Sequence, residues 1–152
     1  MVMGLEKRGP DAAMRSLAPR VVLADDNPAL LEEIRQLLEP EFQVAATVQE
    51  AGGLSECVRE LRPDAVVADV NMPGANGIDV SRTLIQSGIC SAIVILTVYN
   101  DPRMIQLALR SGICGYVLKV DAGEELAAAL HAVIAGGRYL SRGARASWTG
   151  DL

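Results

Sequence analysis

No stretch of the chain approaches the eighteen or so consecutive apolar residues of a membrane span, and the start, Met1 to Pro10, lacks the apolar core of a signal peptide. A cytoplasmic protein with no membrane partner is expected. Basic charge is also scarce: 14 Lys and Arg stand against 19 Asp and Glu, a net charge of -5. No broad positive field advertises nucleic acid binding by this segment. The three cysteines, Cys57, Cys90 and Cys114, are odd in number and widely spaced, and no CxxC or nearby histidine completes a zinc set. Buried or incidental thiols are expected. The one histidine, His131, lies in an Ala/Leu-rich helical pattern and receives no role. No GxGxxG or Walker-type loop follows the first apolar run, which argues against a nucleotide site.

What is present is a 152-residue chain that is 50% hydrophobic, enough for one globular domain. Residues 1–19 mix Gly4, Gly9, Pro10 and Pro19 with charges and show no sustained period, so they read as a disordered tail. From Arg20 onward, apolar runs alternate with helical patterns five times: Val21 to Ala24, Phe42 to Val48, Ala65 to Ala68, Ala92 to Leu96 and Tyr116 to Leu118. Leu30, Leu31, Ile34, Leu37 and Leu38 recur at helical spacing behind an N-cap at Asn27 and a proline at Pro28. The helix around Leu54, Val58 and Leu61 is weaker and its start is expected to fray, because Gly52 and Gly53 each cost about 1 kcal/mol relative to alanine. Gly88, Gly112 and the pair Gly136 and Gly137 stand where the later helices should end.

Five βα units imply a parallel sheet covered on both faces. The second run departs from the others by alternating, which predicts Phe42, Val44, Ala46 and Val48 on one face of an edge strand. The pattern predicts an α/β, flavodoxin-like (βα)5 doubly wound sheet with strand order 2-1-3-4-5.

The polar residues at the ends of these runs carry the functional reading. Asp25 and Asp26 follow the first, Asp69 the third, Thr97 the fourth and Lys119 the fifth. In a parallel sheet those ends share one edge, where ligands bind. Three carboxylates gathered there repel, since like charges 4 Å apart cost about 4 kcal/mol at an effective dielectric of 20. A cation relieves this, and hard oxygen ligands with room for water suit Mg²⁺. Lys119 adds a mobile positive charge and Thr97 a hydroxyl donor, which together describe a site for a phosphoryl group. Taken singly, each residue has a plainer reading: a strand-end Asp can cap a helix, Thr97 can be an ordinary strand-end hydroxyl, Lys119 a solvated charge, and Tyr116 a partly buried aromatic.

Over residues 20–140 the chain resembles bacterial two-component response-regulator receiver domains. The resemblance rests on Leu23-Ala24-Asp25-Asp26, then Asp69-Val70-Asn71-Met72-Pro73-Gly74-Ala75-Asn76-Gly77, then Leu96-Thr97, then Gly115-Tyr116-Val117-Leu118-Lys119. Val98 after the threonine, Val120-Asp121 after the lysine and the ending Gly136-Gly137-Arg138-Tyr139-Leu140-Ser141 look like the NarL/FixJ (LuxR-type) subgroup.

The resemblance implies that Asp69 accepts a phosphoryl group from a sensor histidine kinase. It implies that Asp26, Asp69 and the backbone carbonyl of Asn71 hold Mg²⁺, with Asp25 acting directly or through water. Thr97 and Lys119 would bind the phosphoryl oxygens, and Tyr116 would turn inward as Thr97 is drawn toward them. A homodimer through helices 1 and 5 or 4 and 5 is implied, as is output to transcription through a DNA-binding domain that is not in this chain. Residues 141–152 read as a linker or tail, and whether the receiver stands alone or belongs to a longer regulator stays open. The rival reading is an aspartate-based phosphatase, but Asn71 occupies the place where such an enzyme needs a second acid. Slow self-dephosphorylation, with Asn71 and Tyr99 near the water, is expected instead.

Overall fold

The computed structural model describes residues 17–150; most of the expected N-terminal tail lies outside that range. Strand β1 (Arg20–Ala24) leads to α1 (Pro28–Leu38), β2 (Gln43–Val48), α2 (Ala51–Leu61) and β3 (Ala65–Ala68). A two-residue ladder, Asn71–Met72 against Ala75–Asn76, precedes α3 (Gly77–Gln86), β4 (Ile93–Thr97), α4 (Pro102–Arg110) and β5 (Gly115–Leu118). A 3₁₀ turn (Lys119–Asp121) enters α5 (Ala122–Ile134), followed by β6 (Tyr139–Leu140) and α6 (Arg142–Ser147). The main sheet is parallel, in the order β2-β1-β3-β4-β5-β6. The flavodoxin-like order expected for the first five strands holds, and a short sixth extends the sheet beyond it.

Two apolar layers sandwich the sheet. Val21, Leu23, Val67, Val94 and Val117 meet Leu31 and Ile34 of α1 and Leu126 and Leu130 of α5. The alternate residues, Val22, Val66, Ile93 and Ile95, meet α2, α3 and α4 through Leu54, Val58, Ile78, Leu84 and Ile105. Because successive strand residues point to opposite faces, near-continuous apolar strands are what a doubly covered sheet requires.

Local signals account for most helix limits. The Asn27 side chain accepts from the N–H groups of Ala29 and Leu30 with Pro28 at the first helical position, as expected for α1. Gly88, Gly112 and Gly136 each take a positive φ just past a helix end.

Two expectations are corrected. Phe42, just before β2, and Val44 within it lie in the layer of α1 and α5, while Ala46 and Val48 lie in the opposite one. The register jumps from Val21↔Val44 to Val22↔Ala46, so Ala45 is an inserted bulge residue that turns the strand over. In α2 the two glycines sit inside an intact first turn. Its start does not fray because the Ala51 N–H donates to the carbonyl of Pro73 at 3.0 Å, a support from a distant loop.

The stretch expected as a linker or tail also differs. Ser141 and Ala144 are fully buried, and α6 packs on β5, β6 and α4 with Trp148 against the apolar layer.

Candidate functional site

Strand register sets the site. Ala24 pairs with Ala68, so Asp25 and Asp69 leave β1 and β3 at the same height. Thr97 pairs with Leu118, so Lys119 emerges one step beyond it. One oxygen from each of Asp25, Asp26 and Asp69 lies within 4.8 Å of the others, the only such acidic cluster among the described residues. Asp25 and Asp69 are buried whereas Asp26 is exposed.

Lys119 crosses toward this cluster. Its Nζ lies 2.9 Å from Asp25 Oδ2 and 3.3 Å from Asp69 Oδ2, and donates a hydrogen bond to the latter. The contact with the buried Asp25 oxygen is the shorter of the two. Burial pushes the Asp69 carboxyl above the usual carboxylate range; Lys119 pulls it back in part, and Asp25 adds to the rise. Burial works against the charge on Lys119, but its contact with Asp25 and the charges of Asp69 and Asp25 outweigh it, so its pKa is raised. One ammonium facing three carboxylates leaves the cluster negative.

The residues fit a Mg²⁺ ion by their donor chemistry: hard carboxylate oxygens of Asp25, Asp26 and Asp69 gathered at one point, with a single ammonium against three carboxylates. The receiver domains that the sequence resembles typically bind Mg²⁺ at such an acidic pocket. Asn71 follows on the short hairpin, which with Asp26 borders a shallow groove beside the cluster.

A chain of contacts runs outward from the strand ends. Thr97 is fully buried, and its Oγ1 accepts the N–H of Tyr99 at 3.2 Å, which leaves the hydroxyl proton free to donate. The Asn71 side-chain amide donates to the Tyr99 hydroxyl, tying the loop after β3 to the loop after β4. Tyr116 is fully buried, and its hydroxyl donates to the Tyr99 carbonyl at 2.7 Å. Its ring lies in the apolar layer of α2, α3 and α4. Burial pushes the Tyr116 hydroxyl far up, which keeps it a donor at any physiological pH.

Gly77 explains a piece of the motif that sequence reasoning quoted without a reason. A Cβ there would sit 1.9 Å from the carbonyl oxygen of Asp69, so only glycine lets α3 start against the end of β3. Ser141 was missed as part of this neighbourhood, although its oxygen accepts the N–H of Leu118 next to Lys119. Its only signal was the Gly136 to Ser141 ending. Cys57, Cys90 and Cys114 are free thiols away from the cluster. His131 packs on Phe42, ring centroids 4.6 Å apart.

Residues 21–131 match the family described as the response regulator receiver domain. The chain is 32% identical to the transcriptional regulatory protein DegU of Brevibacillus brevis over 123 residues, 80% of this chain and 52% of DegU. It is 33% identical to the nitrate/nitrite response regulator protein NarL of Escherichia coli over 123 residues, 80% of this chain and 57% of NarL. Among solved structures, a LuxR-family two-component response regulator from Aurantimonas superposes with a TM-score of 0.81 at 34% identity, covering 86% of this chain and 94% of that one. The isolated receiver of RcsB from Salmonella enterica, solved with beryllofluoride, superposes with a TM-score of 0.79 at 26% identity, covering 87% and 99%.

The chain belongs to the response regulator receiver domain family, and its relatives are LuxR-family regulators of the NarL and DegU kind. Receivers of this family are signalling domains of two-component systems that interact with histidine kinases, rather than classical enzymes. The chain spans about half the length of the curated relatives it matches. No helix among the described residues is long and apolar enough to cross a membrane.

Proposed function

We propose that this chain is a phosphoacceptor switch in which Asp69 takes a phosphoryl group from a sensor histidine kinase. The convergence of Asp25, Asp26 and Asp69 with Lys119 on one sheet edge carries the reading. In the reaction an Asp69 carboxylate oxygen bonds to phosphorus as the phosphorus–nitrogen bond to the kinase imidazole breaks, leaving an acyl phosphate and a free histidine. Asp25, Asp26, Asp69 and the backbone carbonyl of Asn71 would hold Mg²⁺, which supplies charge neutralisation for the phosphoryl oxygens. Lys119 releases Asp69 and pairs with a phosphoryl oxygen; Thr97 donates its free hydroxyl proton to another. Movement of Thr97 passes through Tyr99 to Tyr116 because these residues are already hydrogen bonded.

Output to transcription through a DNA-binding domain elsewhere in the parent protein is the favoured role, since relatives of the chain include DNA-binding response regulators. A stand-alone receiver acting by protein contact is the alternative. Because α6 packs on β5 and α4 and is tied to α5 through Glu125, it occupies the face between α4 and α5. A homodimer through α1 and α5 is therefore favoured over one through α4 and α5. The acidic chain itself contacts no nucleic acid in this reading and works in the cytoplasm. Turnover as a phosphatase is disfavoured, because the Asn71 amide has no acidic proton for a leaving group.

Intact-mass measurement after treatment with acetyl phosphate and Mg²⁺ tests the proposal. One phosphoryl group on the wild type and none on Asp69→Ala is expected. Equal incorporation in that variant, or steady turnover of p-nitrophenyl phosphate, would overturn it.

A further inference from the structure

The segment after β6 supports both phosphoryl-binding strand ends from behind. β6 pairs with β5 only at Gly115 and Tyr116, so the ladder stops short of the end of β5. Ser141 continues it by other means. Its N–H donates to the Tyr116 carbonyl at 3.0 Å, and its fully buried Oγ accepts the N–H of Leu118 at 3.1 Å. Leu118 directly precedes Lys119. Two residues beyond the lysine, the Asp121 carboxylate accepts the N–H of Gly143 at 2.9 Å. The fit is close: a Cβ on Gly143 would lie 2.5 Å from Leu118 Cδ1 and 2.9 Å from Asp121 Oδ2.

The other end of α6 reaches the second strand. Ser147 donates its hydroxyl to Asn100 Oδ1 at 2.6 Å, and Asn100 sits in the loop that leaves Thr97. Next to it Trp148 packs on the apolar layer, and its indole N–H is buried without a hydrogen-bond partner among the described residues. A buried donor without a partner weighs against docking at this end of the segment.

We propose that Ser141 to Ser147 is a positioning element of the phosphoacceptor site, with Ser141 acting through Lys119 and Ser147 through the Thr97 loop, and that its docking responds to phosphorylation. The inference rests on the reading of Asp69 as the acceptor. A lysine side chain has ample rotamer freedom, so the place of its ammonium depends on how firmly the backbone beneath it is held. Ser141 holds the backbone just before Lys119, and Gly143 holds the side chain of Asp121 two residues after it. Binding linkage is reciprocal: if docking of the segment favours an occupied site, occupancy shifts docking by the same factor.

Beryllofluoride with Mg²⁺, titrated into the full chain, is the test. Trp148 is the only tryptophan of the sequence and reports the docked end through its emission. The wild type should show a saturable emission change that Asp69→Ala lacks. Ser141→Ala and Ser147→Ala should each raise the half-saturating beryllofluoride concentration by about three- to tenfold. In a Lys119→Ala background, Ser141→Ala should add no further weakening, whereas additive effects would mean a merely structural role and overturn the proposal. Should Ser141→Ala not fold, Ser147→Ala and Asn100→Ala carry the test, since that hydrogen bond lies at the surface. If mass measurement shows Asp69 phosphorylated, yet emission is unmoved and the serine variants bind as the wild type does, the positioning role is wrong and the acceptor stands. If Asp69 takes up neither group in the wild type, the acceptor reading fails and this inference falls with it.

Discussion

Lys119 and Asp25 form an ion pair at 2.9 Å although their strands, β5 and β1, are separated in the sheet by β3 and β4. The lysine therefore spans the width of the site and lies against Asp69 on the way. It serves as a built-in counter-charge for carboxylates that would otherwise repel across the same gap.

Removing it should expose that repulsion. In metal-free buffer, Lys119→Ala is expected to lose about 1–3 kcal/mol of stability, less than a fully buried pair because the lysine side chain keeps some solvent contact. Added Mg²⁺ should raise the melting temperature of the variant more than that of the wild type, since the ion takes over neutralisation of the same carboxylates. Thermal unfolding with and without Mg²⁺ measures both effects. An equal Mg²⁺ response in the two proteins would separate the ion from these acids.

Asp69 should be a stability liability when no metal is present. Its folded pKa is raised, mainly by burial, so the folded state holds its proton more tightly than the unfolded chain does. Stability then falls as pH rises from the usual carboxylate range through the higher folded value, and the deficit is complete above it. Asp69→Asn is expected to melt a few degrees higher at neutral pH in a chelating buffer. The gain should shrink as pH falls through the folded pKa of Asp69. A variant that gains stability only in acid would reverse the sign of this argument.

Gly77 joins the fold to the site by steric necessity. Gly77→Ala forces either α3 or the Asp69 carbonyl to move, because the added Cβ would overlap that oxygen. A loss of about 3 kcal/mol or more is expected in chemical denaturation, with impaired beryllofluoride binding in whatever folds. Stability within about 0.5 kcal/mol of the wild type would show that the contact relaxes without cost.

Much of the architecture is legible in the amino-acid sequence. Near-continuous apolar runs between helical patterns imply a covered parallel sheet, and Asn27-Pro28 and the helix-ending glycines mark limits that depend on local backbone chemistry. The acids, Thr97 and Lys119 were visible because a parallel sheet sends every strand end to one edge. The bulge at Ala45 was not legible, since an inserted residue leaves the composition of β2 unchanged and only pairing with β1 reveals it. Nor was α6: Arg142 to Ser147 has a weak helical pattern, and its stability comes from Ala144, Gly143 and Trp148 packing on elements distant in sequence.

The sequence by itself determined the order of the elements, the doubly covered sheet and the identity of the polar residues at its edge, because these follow from short-range periodicity, turn chemistry and strand direction. Only the tertiary structure decided that Lys119 reaches Asp25 as well as Asp69, that Asn71, Tyr99 and Tyr116 are linked, and that Ser141 secures the strand beneath the lysine. Those are contacts between residues 17 to 50 positions apart or more, set by strand register and packing, and no local pattern in a chain encodes a distance of that kind.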